Sequence, residues 1–470
     1  MIYDLVVIGG GSAGYSAAKT AASYKKKVCI IEKGPFGGLC ILKGCMPSKT
    51  LIYSARIAEI IKKAKEFGIH VDQNIKVDAK YIIERKNKII KDFASSRLES
   101  VKKDKNLDLV IGKANFISKN KVQVGNEIIE GKNFLISTGS KIFIPNIPGL
   151  KEAGYITSDS ALDLKNLPKS IIVLGGGPVT LELAYYFSNL GVEVTVIQRS
   201  KHVMSDNDED LADVIEKSFR KNGIKVYTGT SLKRIYKNKN LKEIEFEQGK
   251  KNVKVKAEEI LVGLGRVPNF ESLNLDKTGM KLDEKGNPVI NEYLQTSLSN
   301  VYVAGDATRI LEVVNVAVEQ GRVIADNIFL KKEKIDYHKF PMAVFTHPEV
   351  AWIGVTEREA KEKKLDVVIA KLPYEDLGKA VCYGETEGFI KLILEKKSKK
   401  ILGVAIAGHL ASDIIHEAVP LLYNKNTIYD LAKMQHIHPT FGEIYSYVAD
   451  DALNPDKKLS SKGKFVCLGC

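Results

Sequence analysis

Ile2-Tyr3-Asp4-Leu5-Val6-Val7-Ile8-Gly9-Gly10-Gly11-Ser12-Ala13-Gly14 is the stretch from which the architecture follows. Residues 2–8 alternate as a buried strand would, and the glycines turn the chain into a helix from Tyr15 to Tyr24. A second strand, Val28 to Ile31, ends at Glu32. Strand, Gly-x-Gly-x-x-Gly, helix, strand and acid, in that order, build a dinucleotide site. Gly9 makes the turn, Gly11 lets backbone approach a pyrophosphate, and Gly14 allows close helix packing. Glu32 can accept hydrogen bonds from a ribose. Ser12, Ala13 and Lys33 are further candidates for contact with the cofactor.

The pattern occurs a second time. A strand from Ile171 to Leu174 leads into Gly175-Gly176-Gly177-Pro178-Val179-Thr180-Leu181-Glu182, and a strand from Val192 to Ile197 follows the helix. Two such units predict two bound dinucleotides. Thr180 stands where a small residue closes the motif and is expected to loosen that turn. Where an acid would end the second strand, the chain has Gln198 and then Arg199-Ser200-Lys201. A glutamate there would bind both ribose hydroxyls and repel a phosphate, whereas arginine holds a 2′-phosphate bidentately. The expectation is NADPH in preference to NADH, with a solvated basic turn as the alternative reading.

Shortly after the first fingerprint comes Gly37-Gly38-Leu39-Cys40-Ile41-Leu42-Lys43-Gly44-Cys45-Met46-Pro47-Ser48-Lys49. Cysteines five apart lie about 140° out of phase on a regular helix. Bridging Cys40 to Cys45 therefore needs irregular backbone, which Gly44 can supply. Lys49 brings a cation close to the sulfurs, and a positive charge favours the reactive thiolate. Two buried structural cysteines are the alternative.

A chain of 470 residues predicts two to four domains with ample core. No apolar run approaches eighteen residues and no signal peptide is read at the N-terminus, so no membrane span is expected. Six cysteines are too few for a disulfide framework at this length and favour a reducing, cytoplasmic setting. The net charge of +14 invites a nucleic-acid reading. The lysines are scattered, however, and no recognition motif accompanies them, so a solvated surface is the better account.

The Gly37–Lys49 stretch resembles the redox-disulfide signature of the flavin-dependent pyridine nucleotide–disulfide oxidoreductases, whose pattern is Gly-Gly-Thr-Cys-x-Asn-x-Gly-Cys-x-Pro-Ser-Lys. The chain departs from it at Leu39 and Leu42 and carries Lys43 inside the loop. The resemblance continues along the chain. Ala114 matches a position whose backbone meets the adenine, and Thr138-Gly139 lies in the second flavin-side segment. Gly263 to Asn269, with Gly265, resembles the segment closing the nicotinamide domain. Asp306 matches the ligand of the flavin's ribityl chain, and Glu182 the carboxylate paired with the Lys49 position. Gln435 to Glu443 contains His-Pro-Thr-x-x-Glu, in which His438 maps to the acid–base residue and Glu443 to the carboxylate orienting it. A capping box is the alternative role for Glu443, and a satisfied buried imidazole that for His438. His436 is read as structural.

The implied fold is α/β: two Rossmann-like dinucleotide-binding domains plus a C-terminal α+β dimerisation domain. The expected boundaries are 1–149 and 271–338 for the FAD domain, 150–270 for the NAD(P) domain, 339–453 for dimerisation and 454–470 for a flexible tail. The implied activity passes electrons between NADPH or NADH and a disulfide or dithiol through FAD and a Cys40–Cys45 disulfide. His438 and Glu443 of a homodimer partner serve as the acid–base pair. Cys45 is expected to form the charge-transfer thiolate and Cys40 to exchange with substrate. The tail's Cys467-Leu468-Gly469-Cys470 is a candidate auxiliary dithiol, and no metal site is read. The substrate stays open. An NAD-dependent dihydrolipoamide dehydrogenase and a thioredoxin- or mercuric-reductase-like enzyme using the tail are the alternatives. A non-turnover flavin scaffold or polyanion-binding protein is the reading of another class.

Overall fold

The computed structural model describes residues 1–72 and 75–454. Its first sheet has seven strands. Leu107–Ile111, Val28–Glu32, Ile2–Ile8, Glu127–Ile136 and Val301–Val303 run parallel in that order. The hairpin Ala114–Ser118 and Lys121–Val124 extends the sheet antiparallel along Glu127–Ile136. The Val301–Val303 strand returns to this sheet only after a second unit has been built. The first strand does not alternate: Leu5, Val6, Val7 and Ile8 are all buried. Leu5 and Val7 join one apolar cluster, Val6 and Ile8 another. A parallel sheet covered on both faces needs such a continuous apolar run.

The second sheet is parallel throughout, in the order Lys225–Tyr227, Glu193–Ile197, Ser170–Leu174, Glu259–Val262, Ile156–Thr157. Three antiparallel strands, Thr230–Asn238, Leu241–Gln248 and Lys251–Ala257, form a separate sheet within the same unit. The third region is an antiparallel sheet of five strands, in the order Met342–Val344, Glu349–Gly354, Ile401–Gly408, Phe389–Glu395, Val367–Pro373.

The helix Cys45–Lys63 joins these parts. Leu51, Ile52, Ala55 and Ala58 recur on one face and enter a core shared with the helix Pro178–Asn189 and with Val344, Val350 and Phe389 of the third sheet. Each fully buried Leu or Ile contributes about 1.5–3 kcal/mol, so this face fixes the helix firmly. The helix begins at Cys45, six residues before Leu51, the first of those four apolar positions. Pro47 falls in its first turn, where the missing N–H would have no partner in any case. Among the described residues, no helix is long and apolar enough to cross a membrane.

Candidate active site

The first glycine turn lies at the carboxyl end of the central strand, and Glu32 holds it in shape. One carboxylate oxygen accepts the Gly10 N–H at 2.8 Å and the other the Gly34 N–H at 3.3 Å. The Gly112 N–H donates to the Glu32 carbonyl at 2.9 Å, which sets Ala114, at the head of its strand, two residues away. Ser12 and Ala13 begin the helix Ser12–Ser23, and Lys33 is exposed just beyond Glu32. Asp306 accepts the Ser140 hydroxyl at 2.7 Å, and Ser140 in turn accepts the Arg266 Nε–H at 2.7 Å. A flavin dinucleotide fits these residues. The Thr138 hydroxyl is buried without a hydrogen-bond partner among the described residues, and a buried polar atom of that kind calls for a ligand. Gly139 has open space where a side chain would stand, and a Cβ at Gly11 would only touch the Gly38 Cα at 3.8 Å.

The cysteine segment is packed directly on this turn. Gly38 has φ of 71°, and a side chain there would meet the Gly11 Cα at 2.4 Å. A short helix, Gly38–Lys43, carries Cys40, and the helix Cys45–Lys63 starts with Cys45. The break between them is Gly44, with φ −129° and ψ −117°. A Cβ at Gly44 would lie 2.9 Å from the Leu39 carbonyl oxygen and 3.1 Å from the Cys40 Cα. That close approach brings the two sulfurs together as a pair of thiols that share a hydrogen bond. They are not equivalent. The hydrogen bond to Cys45, together with burial, pushes the Cys40 thiol far up. The hydrogen bond from Cys40 pulls Cys45 down, burial opposes, and Lys49 assists, leaving it at about 7. The positive end of a nineteen-residue helix acts in the same direction.

Lys49 connects this segment to the second fingerprint. Its Nζ donates to both oxygens of Glu182, at 3.0 and 2.8 Å, and lies 4.3 Å from the centre of the Phe345 ring. Glu182 is buried rather than an exposed helix residue, and it also accepts the Phe345 N–H at 3.2 Å. In that fingerprint the turn is not loosened by Thr180, contrary to expectation. The Thr180 hydroxyl donates to the Gly177 carbonyl at 2.8 Å, and its methyl occupies the space that a side chain at Gly263 would need, 2.1 Å away. Gly177 and Gly265 have open space around them, as a dinucleotide's close approach requires, and Gly175 makes the turn with φ 113°. Arg199 is exposed, and no carboxylate pairs with it among the described residues.

His438 lies in the third region. Its Nδ1 is 2.8 Å from Glu443 Oε1, and the other Glu443 oxygen accepts the Thr440 N–H at 2.6 Å. Glu443 thus makes one half of a capping box while holding the imidazole. The His436 ring nitrogens contact Glu417 at 2.6 Å and Ser446 at 2.7 Å, which accounts for it structurally. Cys467 and Cys470 lie outside the described residues.

Sequence reading missed two groups near the thiols. Arg97 donates to the Gly37 carbonyl at 3.1 Å, stacks 4.4 Å from the Tyr15 ring centre, and its charge acts on Cys40. It is one of two arginines on a lysine-rich helix, and nothing in its neighbourhood in sequence marks it. Phe345 was legible only as part of the segment that opens the third region.

Comparison with known proteins agrees with this geometry. The sequence model of the pyridine nucleotide-disulphide oxidoreductases matches residues 3–321, and that of their dimerisation domain matches residues 340–449. A mercuric reductase of Staphylococcus aureus is 36% identical over 430 residues, 91% of this chain and 78% of the relative. A dihydrolipoyl dehydrogenase of Mycoplasma genitalium is 35% identical over 460 residues, 96% of this chain and 99% of the relative. Among solved structures, the HOCl-induced flavoprotein disulfide reductase RclA of Escherichia coli superposes with a TM-score of 0.84 at 27% identity, covering 95% of this chain and 99% of that one.

Proposed function

The chain belongs to the pyridine nucleotide-disulphide oxidoreductase family and is an NAD(P)H-dependent flavin disulfide oxidoreductase; from that premise we propose that it passes electrons between NADPH and a disulfide or dithiol by cycling Cys40 and Cys45 between dithiol and disulfide. The observation that carries this reading is the Lys49–Glu182 bridge. It pins the helix that starts at Cys45 to the helix of the second dinucleotide fingerprint, so both nucleotide units converge on the sulfurs.

FAD, when bound, supplies two-electron exchange between a nicotinamide and a disulfide. Gly9, Gly11, Gly14, Glu32, Thr138, Gly139 and Asp306 would hold it. Cys40, as its thiolate, attacks one sulfur of the substrate disulfide and expels the other as a thiol. Cys45, as its thiolate, then attacks the Cys40 sulfur, expels the second substrate sulfur as a thiolate that takes a proton from solvent, and closes the Cys40–Cys45 disulfide. The substrate is reduced by two electrons and the pair oxidised by two. Cys40 is held protonated by its environment, so it needs a base. His438 of the partner subunit, oriented by its own Glu443, takes that proton and returns it to the leaving thiol. This requires a homodimer, for which the match to the dimerisation domain is the support.

Exposed Arg199 supports NADPH. A second reading, NAD-dependent dihydrolipoamide dehydrogenase, is favoured by the relatives of that name and by the His438–Glu443 pair. The mercuric reductases are as similar in sequence, but His438 stands where a tyrosine is usual in that group. Steady-state turnover with NADPH and with NADH, against lipoamide, glutathione disulfide and oxidised thioredoxin, ranks these readings. Turnover of none of them, with salt-sensitive binding to a polyanion instead, would favour a non-turnover scaffold.

A further inference from the structure

Away from the thiols, a buried polar cluster lies where the helix Cys45–Lys63 meets the third sheet. We propose that His347, Glu385 and His409 form a binding site for one divalent transition-metal ion of the zinc or cobalt type. The three side chains each offer a ligand atom, all within 4.8 Å of one another. Two imidazoles and one carboxylate suit such an ion, which leaves a fourth position for water.

The surroundings are those of a metal-binding histidine. His347 is 8% exposed. Its Nδ1 is 2.9 Å from Glu59 Oε1, and a ligating histidine commonly donates its second ring N–H to a carboxylate in this way. Glu59 is itself fixed by the Tyr185 hydroxyl at 2.6 Å and by Arg56 at 2.8 Å. The other nitrogen, Nε2, lies 3.0 Å from Glu385 Oε2, off the line of a hydrogen bond and without any other partner. Arg56 engages the far oxygen of Glu385 at 2.9 Å. His409 Nδ1 is 3.9 Å from that same oxygen. Burial holds His409 in its neutral form, with a lone pair to give.

Ligands on a tetrahedral ion with bonds of about 2.0–2.1 Å lie roughly 3.3 Å apart. The present spread closes by a modest swing of His409, whose side chain keeps 20% exposure. The His409 ring packs 5.0 Å from that of Phe441, between His438 and Glu443, so an ion here would connect the cysteine helix to the acid–base loop.

The test uses the full chain with Cys40, Cys45, Cys382, Cys467 and Cys470 all changed to Ser, which leaves only the buried Cys29 and removes competition from accessible thiolates. Titration with Co2+ should give one ion per chain, with visible d–d absorption and no sulfur charge-transfer band. His409→Gln, at a partly exposed position, should weaken binding at least tenfold with the far-UV spectrum unchanged. His347→Gln should do the same. Absence of a one-to-one Co2+ complex in the parent, or affinity in both histidine variants equal to the parent's, would overturn the proposal. Neither result depends on which disulfide the enzyme turns over.

Discussion

Replacing Glu182 with Gln should make the protein less stable and its Cys45 thiol more acidic at once. The carboxylate is buried and takes the Lys49 ammonium at 3.0 and 2.8 Å. The Lys49 side chain is 35% exposed. The pair therefore lies between exposed ion pairs, worth about 0–1 kcal/mol, and buried ones, whose disruption costs about 3–5 kcal/mol. Glutamine keeps the volume and an acceptor for the Phe345 N–H, and Lys49 keeps the Phe345 ring. A loss of about 1–2 kcal/mol is expected, read as a lower urea midpoint at unchanged slope. The effect on the thiol has the opposite character. Glu182 opposes ionisation of Cys45 and Lys49 favours it. Without the carboxylate, Cys45 should titrate lower than its present value of about 7, by about one unit or less, the effect of a single partly screened charge. The rate of iodoacetamide alkylation against pH, mapped to Cys45 by mass spectrometry, measures that midpoint. A midpoint that stays or moves upward would refute the electrostatic reasoning, whatever the stability does.

Four further outcomes follow from the same geometry. Cys45→Ser should abolish the long-wavelength absorbance expected when the FAD-loaded enzyme takes up one equivalent of nicotinamide; a band that persists would assign it to another group. The wild type should prefer NADPH, and Arg199→Glu should invert or abolish that preference; equal kcat/KM for both nucleotides before mutation would remove the role of Arg199. Mixing Cys40→Ser chains with His438→Ala chains should restore about one active site in two per heterodimer, as two-fold symmetry allows; verified heterodimers without activity would place catalysis within one chain. The reduced thiol pair should also shape stability against pH. Cys45 falls from 9.0 to about 7 on folding, while Cys40 rises. Between those two values the unfolded chain binds more thiol protons and stability climbs with pH, and above them the folded chain binds more and stability declines. The urea midpoint of wild type minus that of the Cys40→Ser, Cys45→Ser double variant should peak near the unfolded thiol pKa. A flat difference would contradict the asymmetry of the pair.

Both glycine fingerprints and the strands and helices around them were legible in the sequence, because each depends on residues within about thirty positions of one another. The start of the cysteine helix was not. Gly44 and Pro47 look like loop residues until the approach of Cys40's backbone shows why the break falls at Gly44 and nowhere later. The pairing of Lys49 with Glu182 followed from family resemblance alone, since 133 residues separate them. Arg97 beside Cys40 and the Glu59–His347 contact, 288 residues apart, carried no local signal at all. Such polar contacts are set by how separate sheets and helices pack against one another, and no periodicity encodes that.

Thr180 and Gly263 are complementary halves of a single shape, a methyl on the helix Pro178–Asn189 filling the hollow left by a bare hydrogen just beyond the strand Glu259–Val262. Neither position can drift alone. A larger residue at 263 is tolerated only if 180 shrinks, and a glycine at 180 opens a void that 263 is then at liberty to fill. Lineages descending from this sequence should therefore exchange the two residues together, and the double variant Thr180→Gly, Gly263→Ala should recover stability that Gly263→Ala alone loses.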